Sequence, residues 1–141
     1  MRNNIFGRIR RSATLFKRSN GRYYRMNMVK PPYWISIGGK ETRVFCEDIE
    51  GCHFVYHELI INDVYDFFDS LWKFKARIIV DIGAHVGMFS KLCSLAFPEA
   101  VIYAYEPNPD SFKWLKQNCE GTLITPFEKA VLGRGGAVLH A

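Results

Sequence analysis

The 141-residue chain lacks the features that mark membrane-spanning, disulfide-rich and disordered proteins. Charged residues interrupt every apolar stretch before it reaches the ~18 residues that a spanning helix requires. The four cysteines form no C-x-x-C pair and share no ligand spacing with the histidines, so we predict no metal site and expect a reduced protein of the cytoplasm. Aromatic residues make up 15% of the chain, which argues against disorder. A folded globular domain is therefore expected.

Acidic residues are absent from the first 40 residues, which carry ten Lys or Arg. Residues 41–141 carry nine Lys or Arg against fourteen Asp or Glu. The net charge of +5 therefore combines a strongly basic segment with an acidic remainder. This asymmetry predicts a basic arm and linker at 1–40, attached to a globular domain at 41–141. The composition does not favour a nucleic-acid-binding domain.

The basic arm has the spacing of an amphipathic helix. At about 100° per residue its apolar residues share one arc, and most of its cations fall on the other. The apolar residues are Ile5, Phe6, Ile9, Ala13 and Phe16. Such a helix suits an anionic membrane surface, so peripheral membrane contact through residues 1–18 is one hypothesis. Contact with nucleic acid, a transit peptide and a helix packed on its own domain are the alternatives.

Two segments precede the central part of the domain. Residues 43–57 contain two β-prone runs around Glu50-Gly51, which predicts a hairpin. Apolar residues then recur at helical spacing over 58–74, and cations close the segment. A helix is predicted there.

From residue 78 onward the pattern alternates between strand and helix. Strands are predicted at 78–80, 101–105 and 123–127, with helices at about 88–97 and 110–118 between them. A fourth strand is predicted to begin at 137–139. This βαβαβ order over 78–141 predicts an α/β fold with a doubly wound, Rossmann-like parallel sheet.

The predicted sheet ends after its third or fourth strand. An edge strand presents unpaired N–H and C=O groups, which can pair with a second chain. Self-association through this edge is therefore a further hypothesis.

The carboxyl ends of the first two strands carry the residues that suggest chemistry. Ligands of open α/β sheets bind at these ends. The first strand runs into the motif D-x-G-x-x-x-G. Gly83 lets the backbone turn sharply, and Gly87 allows close packing where the next helix starts. That helix start offers free N–H groups to a polar ligand. Glu106 ends the second strand, where a carboxylate can accept both hydroxyls of a ribose.

The first loop separates two classes of cofactor. A nicotinamide site uses G-x-G-x-x-G to hold a pyrophosphate, and Asp81 would repel that anion. An acid at this position suits a cofactor that carries an amine and a sulfonium. The residues therefore favour S-adenosylmethionine.

Four stretches carry a resemblance to a known family. They are VDIGAHVG at 80–87, AYEPNP at 104–109, LKQN at 115–118 and FEKAVLG at 127–133. Together they resemble the FkbM-type family of class I methyltransferases, over roughly residues 56–141. The resemblance implies a Rossmann-like sheet, bound S-adenosylmethionine and methyl transfer. The acceptor in that family is usually a hydroxyl of a saccharide or related small molecule.

The resemblance also implies a set of cofactor contacts. The loop after the first strand would line the methionine side through Asp81, Gly83, Ala84, His85 and Gly87. Glu106 would hold the ribose hydroxyls, and Pro107 and Asn108 would shape the adenosine pocket. Ala130 would lie near the adenine.

The sequence departs from the family in two respects. His85 stands where the family more often has Asn. The family also continues with a further strand and with substrate-facing segments, so we expect an N-terminal portion of a longer protein and name no catalytic residue. A catalytically incomplete remnant, or an interaction module that keeps the cofactor-binding half, is the alternative hypothesis.

Overall fold

A computed structural model describes residues 31–37, 39–47, 49–65 and 75–133. The helix predicted in the basic arm and the strand predicted at 137–139 lie outside these ranges. Within the described ranges, no helix is long and apolar enough to cross a membrane.

An antiparallel hairpin opens the described part of the chain. Strand β1 (Tyr33–Ile37) pairs with β2 (Lys40–Val44), so that Tyr33 lies opposite Val44. Every second residue of β1 is buried, because successive side chains of a strand point to opposite faces. Gly39 has a φ of 80° in the turn, a conformation that glycine adopts without strain.

The hairpin predicted over residues 43–57 is wrong. Only its first two residues belong to a strand, and Ile49–Tyr56 form helix α1. α1 buries Cys52 and Tyr56, which lie four residues apart and so share one face of the helix. The Tyr56 ring stacks on Tyr33 of β1, with 5.7 Å between the centroids. Packing against the hairpin therefore outweighs the β propensity of this segment.

The helix predicted over residues 58–74 also differs from the structure. His57–Asn62 continues α1 as a π-helical segment and ends at Asp63, which has the left-handed φ of 49°. The Asp63 N–H closes the segment by donating to the Glu58 carbonyl, five residues back. Asp tolerates the left-handed region better than most residues, which explains the stop. The rest of this prediction, from residue 66 to 74, lies outside the described residues.

A parallel three-stranded sheet forms the centre of the fold. β3 (Ile78–Ile82), β4 (Val101–Tyr105) and β5 (Ile124–Phe127) lie in that order. Helix α2 (Met88–Ala96) connects β3 to β4, and α3 (Pro109–Cys119) connects β4 to β5. Parallel neighbours need such crossover connections. The predicted α/β, Rossmann-like class is confirmed, and these strands and helices lie within about two residues of their predicted bounds.

The two faces of this sheet differ in burial. On one face Asp81, Ile102 and Ala104 are buried against the core to which the helices contribute. On the other face Ile78 and Ile82 are 67% and 61% exposed. The described residues therefore cover β3 on one face only.

A buried amide joins the hairpin to the sheet and its helices. The Asn118 Oδ1 in α3 accepts the Phe45 N–H at 2.9 Å, just after β2. Its Nδ2 donates to the carbonyls of Phe45 and Val86, each at 2.8 Å. Three segments that are distant in the sequence therefore meet at one side chain.

Replacing Asn118 by Ala should destabilise the fold substantially. The substitution leaves one N–H and two carbonyls without their partner, and a buried unsatisfied group costs about 1–3 kcal/mol. We expect the free energy of unfolding to fall by about 2–4 kcal/mol in a urea titration followed by circular dichroism. Gln117→Ala, at an exposed position of the same helix, should change it by less than ~0.5 kcal/mol. Equal stability of the two variants would contradict this role.

Candidate functional site

The loops that follow β3 and β4 meet at the carboxyl end of the sheet. The backbone N–H groups of Gly83 and Ala84 both donate to the Tyr105 carbonyl, each at 2.9 Å. The Glu106 N–H donates to the Phe127 carbonyl of β5 at 3.0 Å. The ends of all three strands are therefore linked, and this edge is the place where open α/β sheets bind ligands.

The Glu106 carboxylate bridges the two loops. It is 7% exposed. Its Oε2 accepts the His85 N–H at 2.7 Å, and its Oε1 accepts the Asn108 N–H at 2.8 Å. These two bonds hold the carboxylate in one orientation. A carboxylate offers about four acceptor positions, so each oxygen keeps capacity for one further donor.

Asp81 supplies a second buried carboxylate at this edge. It is 8% exposed, and its Oδ2 accepts the Ser90 hydroxyl of α2 at 2.6 Å. Burial raises the pKa of Asp81, the hydrogen bonds from Ser90 lower it, and the charge of Glu106 raises it again. The net direction is upward, because the charged form is poorly solvated. A cation nearby would favour that charged form.

The loop between β3 and α2 uses the left-handed backbone region three times. Gly83, His85 and Gly87 have φ values of 77°, 51° and 85°. Among non-glycine residues, Asn, Asp and His adopt this region most readily. His85 can therefore adopt the left-handed conformation that this position of the loop requires. The His85 Nδ1 is buried and has no hydrogen-bond partner in the described part of the chain.

The two glycines of the motif have different surroundings. A Cβ on Gly87 would lie 2.7 Å from Cδ1 of Leu115, a fully buried side chain of α3. Gly87 therefore lets α2 begin in close contact with α3. A Cβ on Gly83 would meet no atom within 4 Å, so its backbone faces open space.

The start of α3 is capped by a side chain. The Asn108 Oδ1 accepts the N–H groups of Asp110 at 2.9 Å and of Ser111 at 3.1 Å, and Pro109 occupies the first helical position. Asn108 therefore uses its side chain for the helix and its backbone N–H for Glu106.

The other predicted site residues lie around this edge. Pro107 is exposed between Glu106 and the cap, and Ala130 is half-buried in the segment after β5. The structure brings Asp81, Glu106 and the loop from Gly83 to Gly87 together directly. No hydrogen bond of the described residues links Ala130 to them.

A cleft of about 510 Å³ adjoins this edge. It is lined by Glu47, His85, Val86, Asn108, Asp110, Ser111, Lys113 and Trp114. Trp114 and Ser111 were not among the predicted site residues, and neither was Ser90, which contacts Asp81. Nothing in the local sequence distinguishes these residues, because their positions follow from how helices pack on strands. Among the residues that the structure describes, no group of His, Cys, Asp or Glu is placed to hold a metal ion.

The comparison with curated proteins gives one partial match. No family model matches the chain. Methyltransferase 1 of Beauveria bassiana (strain ARSEF 2860) is 33% identical to it over 70 residues. These residues make up 48% of this chain and 26% of that protein. The chain therefore spans about a quarter of the length of the relative it matches.

Two solved structures overlap with part of the chain. The P. horikoshii TYW2 structure in complex with MeSAdo aligns with a TM-score of 0.38 and 15% identity, over 68% of this chain and 35% of the TYW2 chain. A SAM-dependent methyltransferase from Agrobacterium tumefaciens aligns with a TM-score of 0.41 and 13% identity, over 72% of this chain and 33% of the methyltransferase chain. Scores in this range do not establish a shared fold, so the α/β class rests on the parallel sheet itself.

The buried charge of Asp81 makes a prediction about stability and pH. The pKa of Asp81 is raised above 3.8 in the folded state, so the contribution of Asp81 to stability falls as the pH rises from 3.8 through the folded pKa. Asp81→Asn keeps an acceptor for Ser90 and removes the charge. In thermal melts, we expect the melting temperature of this variant to rise relative to that of the wild type as the pH rises from 4 to 8. Glu99→Gln, at an exposed acid, serves as the control and should keep a constant difference. A melting temperature of Asp81→Asn that falls relative to the wild type with rising pH would contradict the account.

Proposed function

We propose that this chain carries the S-adenosylmethionine-binding part of a methyltransferase. The Glu106 carboxylate is the observation that carries the proposal. It is buried at the end of β4, two backbone N–H groups orient it, and each oxygen keeps acceptor capacity. The two neighbouring hydroxyls of a ribose need two such acceptors side by side. The 33% identity with a protein named Methyltransferase 1 supports the same conclusion.

The charge at the edge favours a cationic cofactor over a dinucleotide. Glu106 is close enough to Asp81 for its charge to raise the pKa of Asp81. A pyrophosphate would add negative charge beside two buried carboxylates, where the interaction is poorly screened. An amine and a sulfonium would instead be attracted to them.

The remaining residues of the edge fit this cofactor. The open space at Gly83 lets a ligand approach the backbone closely. Helix α2 begins at Gly87 without a side-chain cap, so its first turn can receive a carboxylate. The unpartnered Nδ1 of His85 can bond a polar ligand atom. When bound, the cofactor supplies an electrophilic methyl group on its sulfonium.

For the individual residues we propose the roles that the resemblance implies. Asp81, Gly83, Ala84, His85 and Gly87 contact the methionine part of the cofactor. Glu106 accepts the ribose hydroxyls. Pro107 and Asn108 border the adenosine, and Ala130 lies beside the adenine.

We further infer an FkbM-type reaction, in which a hydroxyl of a saccharide or related small molecule accepts the methyl group. This finer proposal rests on the resemblance at 80–87 and 104–109. Transfer of radiolabelled methyl groups to a panel of saccharides tests it. If amines became labelled and saccharides did not, the proposal of a saccharide hydroxyl as acceptor would be overturned. Repeated turnover by this chain would exclude the alternative of a catalytically incomplete remnant.

Glu106→Gln should weaken the binding of S-adenosylmethionine by about ten- to a hundredfold, because a hydrogen bond to a charged group contributes about 1.5–3 kcal/mol. In the wild type, both carboxylate oxygens of Glu106 accept a backbone N–H. The NH2 group of the new Gln side chain would face one of these N–H groups, so that two donors would meet. Isothermal titration calorimetry measures the change.

The matched control is Glu99→Gln, at an exposed acid just before β4 and therefore at the opposite end of that strand. It should bind S-adenosylmethionine as the wild type does. Equal weakening in both variants would remove Glu106 from the site. Binding of NAD in place of S-adenosylmethionine would contradict the cofactor class.

A further inference from the structure

A second cleft, of about 520 Å³, lies between the hairpin and the helices. β2 and the residues beside it form one wall, the last turn of α3 forms another, and Lys91 of α2 lines it as well. It shares no lining residue with the cleft beside Glu106. None of its residues has a part in the function proposed above.

Lys91 brings a largely buried side chain to this cleft. It is 9% exposed and lines the cleft from α2. Burial lowers the pKa of Lys91, the nearby Cys119 raises it, and the charge of Arg43 lowers it. Burial disfavours the charged form of a lysine because that form loses hydration. An anion in the cleft would therefore stabilise the charged form of Lys91.

Arg43 brings a second positive charge to the same cleft. Its guanidinium carbon lies 5.4 Å from the ring centroid of Trp34 and 5.6 Å from that of Phe45. The two rings restrict the guanidinium, so less side-chain entropy is lost when it binds a ligand. Its planar N–H groups can bond two oxygens of one anion.

Two acids at the cleft do not cancel this positive charge. Glu41 and Glu120 are exposed, so water and salt screen their charges. Arg43 is exposed as well, whereas Lys91 is largely buried, so the charge of Lys91 is screened less. The end of the cleft at Lys91 is therefore positive.

We propose that this cleft binds the phosphate group of a small phosphorylated molecule, held between Lys91 and Arg43. A phosphate dianion balances both cations, whereas a carboxylate would leave one uncompensated. Its oxygens can accept hydrogen bonds from the Arg43 guanidinium and from the Lys91 ammonium at the same time. The cleft exceeds the volume of one phosphate, so the rest of the molecule lies toward Trp34 and Gln117.

Calorimetric titration of the 141-residue chain with inorganic phosphate and with glucose 6-phosphate tests the proposal. We expect saturable binding of both, with the ester binding more tightly. Lys91→Met and Arg43→Gln should each weaken binding at least tenfold. Lys113→Gln should have no effect, because Lys113 lies over the Trp114 ring outside this cleft.

Thermal melts separate a binding role from a structural one. Lys91→Met removes a largely buried charge and fills a similar space, so it should melt at or above the wild-type temperature while losing phosphate binding. If it does not fold, Lys91→Gln replaces it in the titration. In carbon NMR of the wild type, the Lys91 Cε should titrate at a higher pH when phosphate is bound.

Four results would overturn the proposal. The first is no saturable binding of either phosphate probe by the wild type. The second is unchanged binding by a folded variant at Lys91. The third is an equal loss in Lys113→Gln. The fourth is acetate binding as tightly as phosphate, which would assign the cleft to carboxylates.

Discussion

The carboxylate of Glu106 holds the candidate site together. It accepts one N–H from the loop after β3 and one from the loop after β4, so this side chain bridges the two loops. The bond requires the loop backbone to turn toward the strand end, which the left-handed residue His85 accomplishes. If the carboxylate were lost, two N–H groups would lack an acceptor, and the backbone bonds from Gly83 and Ala84 to the Tyr105 carbonyl would have to hold the first loop at the end of β4. The bridge therefore orients the two loops on which most of the proposed cofactor contacts lie.

Helix α3 supports the loop to which the Glu106 carboxylate binds. Gly87 lets α2 begin against Leu115 of α3, and Asn118 in the same helix bonds the loop at Val86 and the hairpin at Phe45. The loop is therefore fixed on its packed side by α3 and on its open side by Glu106. Such a site is preorganised, since little conformational freedom remains to be lost when a ligand binds. Asp81 introduces a buried negative charge into this rigid frame, which reduces stability and favours a cationic ligand.

Much of the central fold could be predicted from the sequence, because its signals are local. The Asn108-Pro109 cap, the short strands and the glycine loop each identify themselves within a few residues. The hairpin at 33–44 and helix α1 could not be predicted, since the choice between helix and strand there depends on how Tyr56 packs against Tyr33. The same holds for Ser90 and Lys91, whose roles arise from contacts between distant segments. In the site, residue types pointed to the two acids, but the bridge made by Glu106 became visible only in three dimensions.

The central claim is that Glu106 joins the two loops at the place where the cofactor binds. Nitrogen–proton NMR of the labelled chain during titration with S-adenosylmethionine tests this claim most directly. The account predicts that the amide signals of His85 and Asn108 move together and saturate with one dissociation constant. In Glu106→Gln the two signals should start from new positions and should respond only at much higher ligand concentration. Ligand-induced shifts confined to other parts of the chain, or an unchanged response in Glu106→Gln, would contradict the account.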